Sequence, residues 1–443
     1  MTRLKRSALW RPTLLAAVAG TALPALAQFT FDPALNTPAV ERPDTIAAAD
    51  LNGDGATDAA LTLDTPDRIA VHFKTGDVFG APVFIFPGAG TGAGYLTAVD
   101  IDGDMDRDLL VALHNVNMVR VYLNNGAGVF SPGASVAVGA NPRWIATGDW
   151  NGDGAADLAT ADRDGNTATI LTNTGGGAAF ATATIAVGEE PRAVAAGDQD
   201  GDGDMDLVVS ISRDRTLMLL RNAGGVFSVF GSLPVSANLR PDGVVAADLD
   251  GDSDMDIASA TSGNGLNFVG VWLNAGGGAY AGPVNYAAGG VNPGVLVASD
   301  LNCDGRLDLA TANQDSANVS ALANLGGGTF GAAQVLAVGT NPGSLIAANT
   351  DGDRDRELLT ANRDSNDWSL LVNQTCAPVL VADMNCDGLV NNFDIDPFVL
   401  ALSNPAQYHA TFPNCDISAG DANGDGLVNN FDIDPFVAIL SGV

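Results

Sequence analysis

One acidic motif, Asp-x-Asp/Asn-x-Asp-x-x-x-Asp, recurs along this chain at an almost constant interval, and that interval constrains the architecture before any local reading does. Copies begin at Asp50, Asp100, Asp149, Asp198, Asp248 and Asp300, with a degraded copy at Asn349; the spacings are 50, 49, 49, 50, 52 and 49 residues. A fixed period of this size marks stacked or radial repeats. It groups residues from about 29 to 375 of the 443 into one body, where length alone would suggest about three domains.

Each unit has the same internal order. An apolar run such as Trp144-Ile145-Ala146-Thr147 leads into the acidic loop, and a second run such as Asp157-Leu158-Ala159-Thr160-Ala161 leaves it. A third run ends in Leu-x-Asn-x-Gly, as at Leu171-Thr172-Asn173-Thr174-Gly175. An aromatic then opens a fourth run: Phe130, Phe180, Phe227, Tyr280 and Phe330. Short runs between Gly, Asn and Asp turns read as strands in an antiparallel meander. Four strands in each of seven units predict an all-β seven-bladed β-propeller. The seventh unit stops at Ser369-Leu370-Leu371-Val372 without a fourth strand, and residues 29–40 precede the first unit. We expect that N-terminal segment to complete the last blade, which removes an open sheet edge. The Gly triplets at 175–177, 276–278 and 326–328 precede strands rather than helices and lack a Lys or Ser/Thr partner, so they read as hairpin turns, not phosphate loops.

The motif also states a chemistry. Calcium takes six to eight oxygens at about 2.3–2.6 Å in a tolerant geometry, and side chains at motif positions 1, 3, 5 and 9 can converge on one ion. The candidate ligands are Asp50, Asn52, Asp54 and Asp58, with the Ala56 carbonyl at position 7; Asp100, Asp102, Asp104 and Asp108; and Asp149, Asn151, Asp153 and Asp157. They continue with Asp198, Asp200, Asp202 and Asp206; Asp248, Asp250, Asp252 and Asp256; and Asp300, Asn302, Asp304 and Asp308. The seventh loop keeps Asn349, Asp351, Asp353 and Glu357, but Arg354 and Arg356 intrude, and their charge could stand in for an ion. Without a cation, each close carboxylate pair costs about 1 kcal/mol in water and more in a partly buried loop. Positions 2, 4 and 8 vary far more than 1, 3, 5 and 9. The alternative is a metal-free Asp/Asn-Gly turn. Calcium is the expected cofactor, six to seven ions in the repeats and two in the C-terminal segment.

This pattern resembles the FG-GAP and VCBS repeats of integrin-α-like propellers over about 345 residues, although the Phe-Gly…Gly-Ala-Pro core survives poorly, as in Phe79-Gly80-Ala81-Pro82. The resemblance implies structural rather than catalytic calcium, with the acidic loops on the face opposite the main ligand surface.

After Cys376-Ala377-Pro378 the pattern changes, and residues 388–399 recur identically at 426–437. Each copy completes a 12-residue EF-hand-like loop. One offers Asp383, Asn385, Asp387, the Leu389 carbonyl, Asn391 and Asp394; the other offers Asp421, Asn423, Asp425, the Leu427 carbonyl, Asn429 and Asp432. A short helix is expected after each, with Asp396-Pro397 and Asp434-Pro435 as N-cap and first helical residue. The pair resembles a type I dockerin, which implies docking on a cohesin-like extracellular protein. Loop positions 10 and 11, which help dockerins choose a partner, are Asn392-Phe393 and Asn430-Phe431 here. A free-standing calcium-folded knob is the alternative.

The ends and the charge set the context. Arg3, Lys5, Arg6 and Arg11, an apolar run from Thr13 to Leu23, and Ala25-Leu26-Ala27 read as a secretory signal. The expected domains are therefore 1–27 signal, 28–376 propeller and 377–443 dockerin-like module, in a secreted or cell-surface protein. A formal charge of −32 argues against nucleic acid and anionic lipid as partners. Four cysteines allow three pairings. Cys303 with Cys376 and Cys386 with Cys415 are the expected pairs, and free thiols the alternative.

His72, His114 and His409, Lys74 and the five Tyr form no recognisable catalytic constellation. The expected function is a non-catalytic calcium-binding scaffold that presents a glycan- or protein-binding surface. The alternative is a carbohydrate-active enzyme, a polysaccharide lyase or glycoside hydrolase, with a dockerin-type anchor. Trp144, Trp272 and Trp368 are candidates for stacking on sugars or for core packing.

Overall fold

A computed structural model describes residues 29–39, 41–236, 238–353, 355–376, 381–385, 389–412, 417–423 and 428–441. The expected signal at 1–27 lies outside the described residues, as do Cys386, Asp387, Cys415, Asp425 and Leu427.

Seven four-stranded antiparallel sheets make a seven-bladed propeller. Blade 3 shows the pattern: Pro142–Gly148, Asp157–Asp162, Thr167–Asn173 and Phe180–Ala186 run in order from the axis to the rim. Burial follows that order. The second strand is buried at every position in blades 2, 3 and 4, while the outermost strand of blade 3 exposes most of its residues. The second strand is flanked by neighbouring blades on both faces, so it is apolar throughout rather than alternating. The core is accordingly a ring of clusters that join adjacent blades. Ile101, Leu110 and Val121 of blade 2, for example, pack with Ile145, Leu158 and Leu171 of blade 3. Trp272 and Trp368 belong to this core, as does Trp150. The three Gly triplets form the hairpin turns expected of them, closed by bonds such as Ala178 N–H to Gly175 O at 3.0 Å.

The ring closes as the repeat count predicts. Leu35–Pro38 pairs with Asp367–Leu371 and supplies the outer strand of blade 7. The seam continues beyond that strand: Asp32 N–H donates to Val372 O at 2.9 Å, and Thr30 N–H to Thr375 Oγ1 at 2.8 Å. A disulfide joins Cys303 of the sixth acidic loop to Cys376 just past the last blade, 73 residues on.

Among the described residues three short α-helices follow: α1 (Ile395–Ser403), α2 (Pro405–Thr411) and α3 (Ile433–Ser441). The helix starts differ from expectation. α1 and α3 begin at Ile395 and Ile433, so Asp396 and Asp434 lie inside the first turn and do not cap it. The capping side chains are instead Asn391 and Asn429, which start 3₁₀ turns one step earlier through capping boxes with Asp394 and Asp432. Pro397 and Pro435 are tolerated because first-turn N–H groups need no helical acceptor. Phe398 and Phe436 stack face to face between the two copies, centroids 3.9 Å apart. No described helix is long and apolar enough to cross a membrane.

Candidate metal centres

Each acidic loop connects the first strand of a blade to its second. In the first six loops two left-handed residues, at motif positions 4 and 6, wrap the loop around its own carboxylates; in blade 3 these are Gly152 (φ 73°) and Gly154 (φ 85°). The position-1 carboxylate collects the loop's N–H groups. Asp149 Oδ1 accepts from Gly152 and Oδ2 from Gly154, both at 2.8 Å, and Asp50, Asp100, Asp198 and Asp248 repeat the arrangement.

Positions 1, 3 and 9 come together in the loops that have a carboxylate at each. One oxygen from each of Asp100, Asp102 and Asp108 lies within 4.8 Å of the others, and the same holds for Asp198, Asp200 and Asp206 and for Asp248, Asp250 and Asp256. In the seventh loop the cluster is Asp351, Asp353 and Glu357. The position-5 carboxylates Asp104, Asp202 and Asp252 stand outside these triads and accept from the N–H two residues ahead. In two of the three loops with Asn at position 3 the amide turns to its neighbour: Asn151 Nδ2 donates to Asp153 Oδ2 at 3.0 Å, and Asn52 Nδ2 to Asp54 Oδ2 at 3.2 Å, whereas Asn302 Nδ2 is buried without an acceptor.

The position-9 carboxylate is buried in all seven loops: Asp58, Asp108, Asp157, Asp206, Asp256, Asp308 and Glu357. It braces two strands. Asp157 Oδ2 accepts from Trp150 N–H at 2.9 Å and Oδ1 from Asn173 N–H at 2.6 Å. Burial pushes Asp308 up to about 7 and Asp108, Asp206 and Asp256 up to about 6, against the pull of these N–H donors, with the neighbouring loop carboxylates adding to the rise.

The donor set fits a hard cation. Buried carboxylate oxygens lack hydrogen-bond donors at Asp200 Oδ1, at Asp355 Oδ1 and at Glu357 Oε1, and every cluster is all oxygen, which suits calcium. Asp200 and Asp202 draw in a substitute charge: Arg221 Nε lies 2.7 Å from Asp200 Oδ2, and its Nη2 2.9 Å from Asp202 Oδ2. Arg354, one of the two arginines expected to compete in the seventh loop, lies outside the described residues; Arg221 comes from the third strand of blade 4 and is not marked by the sequence. In the seventh loop Asp355 at position 7, absent from the sequence-based ligand set, is buried, pushed up to about 7 by burial, and accepts from Cys376 N–H at 3.1 Å.

The same asparagine that receives attention from position 9 also joins the blades. Asn173 Nδ2 donates to Ile101 O of the preceding blade at 2.8 Å. Asn124, Asn222, Asn274, Asn324 and Asn373 make the equivalent bond to Leu51, Trp150, Gln199, Leu249 and Leu301 at 2.8–2.9 Å. Sequence reading marks this residue only as the end of the third run; its recurrence is the signal that it does more. Blade 1 has Lys74 at that position, and its Nζ reaches Thr350 O of blade 7 at 2.5 Å.

In the C-terminal segment the two copies match atom for atom. Asp394 accepts from Asn385 and Asn391 N–H at 3.0 and 2.9 Å, and Asp432 from Asn423 and Asn429 N–H at 3.1 and 2.8 Å. Both aspartates are buried. Among the described side chains, His72 and His114 do not assemble with a partner acid or nucleophile into a site. His72 Nδ1 lies 2.9 Å from Gly80 O, and burial pushes both His72 and His114 below the usual imidazole range.

Residues 100–160, 149–209 and 248–311 match the FG-GAP-like repeat. No curated protein matches the chain in sequence. Among solved structures, BBS1N in complex with ARL6DN, soaked with lead, is similar with a TM-score of 0.57 at 14% identity, over 79% of this chain and 98% of that one. Virginiamycin B lyase from Staphylococcus aureus is similar with a TM-score of 0.53 at 13% identity, over 78% and 99%. A protein from Lactobacillus plantarum gives 0.52 at 14% identity, over 68% and 86%. At such identities the likeness is one of fold.

Proposed function

We propose that this chain is an exported, non-catalytic binding protein whose propeller is shaped by calcium and whose C-terminal segment attaches it to an extracellular protein. The observation that carries the reading is the repetition of one oxygen-lined loop at the same end of successive blades, with buried carboxylate oxygens left without donors. Calcium would be held by the loop residues at positions 1, 3, 5 and 9 and, in the tail, by the two EF-hand-like sets. Bound there, it supplies charge neutralisation and a brace between two strands. The chain's own residues do the rest: position 9 ties the loop to the third strand, and the asparagine ties that strand to the preceding blade.

Export is supported by the basic and apolar leader and by the Cys303–Cys376 disulfide, a bond at home in an oxidising compartment. Docking through a dockerin-like tail is supported by the apolar face that α1 and α3 share, where Ile395, Val399, Ile433 and Val437 are exposed. Phe393 and Phe431, at the paired loop positions, are 71% and 79% exposed, far more than aromatic side chains of a closed knob. BBS1N, similar in fold, is in complex with ARL6DN, which is in keeping with a protein ligand.

The test is a pull-down from the exterior of the producing cell with the full chain, with and without chelator, next to a polysaccharide retention and cleavage assay. Calcium-dependent capture of an extracellular protein, lost when Phe393 and Phe431 are both changed to Asp, is the expected result. Product release from a polysaccharide by the purified chain would defeat the non-catalytic reading.

A further inference from the structure

The innermost strand of each blade begins at one face and ends at its acidic loop on the other, as Pro142–Gly148 ends at Asp149. The residues that open these strands therefore encircle the axis on the face away from the acidic loops. In blades 1 to 4 they are Asp44, Gly94, Arg143 and Arg192, and in blades 5 to 7 Asp242, Gly294 and Gly343. The glycines admit side chains from the end of the second strand. A Cβ at Gly343 would come within 2.5 Å of Arg363 Nε, and one at Gly294 within 2.4 Å of Gln314 Nε2. The resulting axial mouth opens on a cavity of about 360 Å³ lined by all seven blades, a size at the low end for small-ligand sites.

Its charge runs against that of the molecule. In a chain with 20 basic and 52 acidic side chains, three arginines from three blades meet here. Arg363 is paired, its Nε donating to Asp44 Oδ1 at 2.5 Å. Arg143 and Arg192 sit on adjacent blades, and among the described residues neither side chain makes a hydrogen bond or an ion pair; Arg192 Nε is buried without an acceptor. Asp242, next around the ring, forms no ion pair with Arg192. Burial pushes the Arg143 guanidinium down; Asp44 offsets part of that, while Arg363, Arg192 and Arg163 add to it. Two neighbouring guanidinium groups without a carboxylate between them form a seat for a bidentate oxyanion. Beside Arg143, Trp144 packs on Tyr95 with ring centroids 4.3 Å apart, and both line the cavity. Trp144 is half-buried at the mouth, whereas Trp272 and Trp368 are core.

We propose that this mouth binds a uronic acid unit, with Arg143 and Arg192 taking the carboxylate and Trp144 and Tyr95 forming the wall for the sugar ring. The proposal names a ligand class for the binding role proposed above and rests on that role, but it uses neither the acidic loops nor the tail.

The experiment is calorimetric titration of the calcium-loaded full chain with galacturonate and with galactose, then with the Arg143→Gln and Arg192→Gln variants. The expected result is binding of galacturonate at least about tenfold tighter than galactose, and a loss of about tenfold in each variant, as for one charge-assisted contact. Failure of galacturonate to bind, or equal binding of galactose, overturns the proposal; so does unchanged binding in variants that keep the wild-type melting temperature. If both variants unfold, the galacturonate–galactose contrast on the unaltered chain decides. Retention of a neutral polysaccharide without galacturonate binding would sink this proposal and leave the broader binding role standing.

Discussion

Lys74 Nζ donates to Thr350 O across 276 residues of sequence, at 2.5 Å, and so makes in blade 1 the bond that asparagine makes in the other six. Its backbone N–H donates to Asp58 Oδ1 at 2.7 Å, as the asparagine N–H donates to position 9 in the other blades that have Asp there. The contact lies at the seam where first and last blades meet. Lys74→Ala should destabilise the chain by about 1–3 kcal/mol, the cost of orphaning a buried carbonyl, read as a lower urea midpoint at unchanged slope. Lys74→Asn should cost less, because an amide reaches the same carbonyl in every other blade.

Arg221 lies across Asp200 and Asp202 and competes with a cation for them. Removing it as Arg221→Gln should raise the calcium affinity of the fourth loop by up to about fivefold, a modest change because the arginine is exposed and its attraction is screened by solvent. Titration calorimetry that resolves the site-specific change checks this; an unchanged or weaker affinity contradicts the competition.

Calcium removal should reverse the pH trend of stability. The folded values of Asp108, Asp206, Asp256 and Asp308 are raised to about 6–7, above the 3.8 of an unfolded aspartate. In the metal-free chain the folded state therefore binds more protons, so stability rises as pH falls from about 7 towards 4. A bound cation favours the ionised carboxylates and turns the slope the other way. Melting curves at pH 5 and pH 8, with EGTA and with calcium, should show opposite signs.

The Cys303–Cys376 bond closes a loop of 73 residues at the same place where Asn373 Nδ2 meets Leu301 O at 2.8 Å. Replacing both cysteines with Ser should lower stability by up to about 4 kcal/mol by the loop-closure argument. It should leave the strand pairing of blade 7 intact, because the Leu35–Pro38 seam is independent of the sulfurs. Hydrogen exchange of Leu370 and Leu371 reads that outcome.

The amino-acid sequence alone determined the blade count, the strand order and the completion of the last blade by residues 29–40, because each rests on a period, and a period is visible in one dimension. The oxygen-rich loops of the blades were legible for the same reason, and the Cys303–Cys376 pair was one of the pairings the sequence favoured. Tertiary structure decided what the period cannot carry. That position 9 faces inward as a two-strand brace, that Arg221 enters the fourth loop from another strand, and that Asp355 is buried all depend on groups brought together through space. The helix starts moved because the carboxylates of Asp394 and Asp432 bind loop N–H groups, a choice made by competing hydrogen bonds rather than by local propensity. Closure through Lys74, and the meeting of Arg143 with Arg192 at the axis, arise only when seven blades form a ring, since radial symmetry turns residues about 50 positions apart into neighbours.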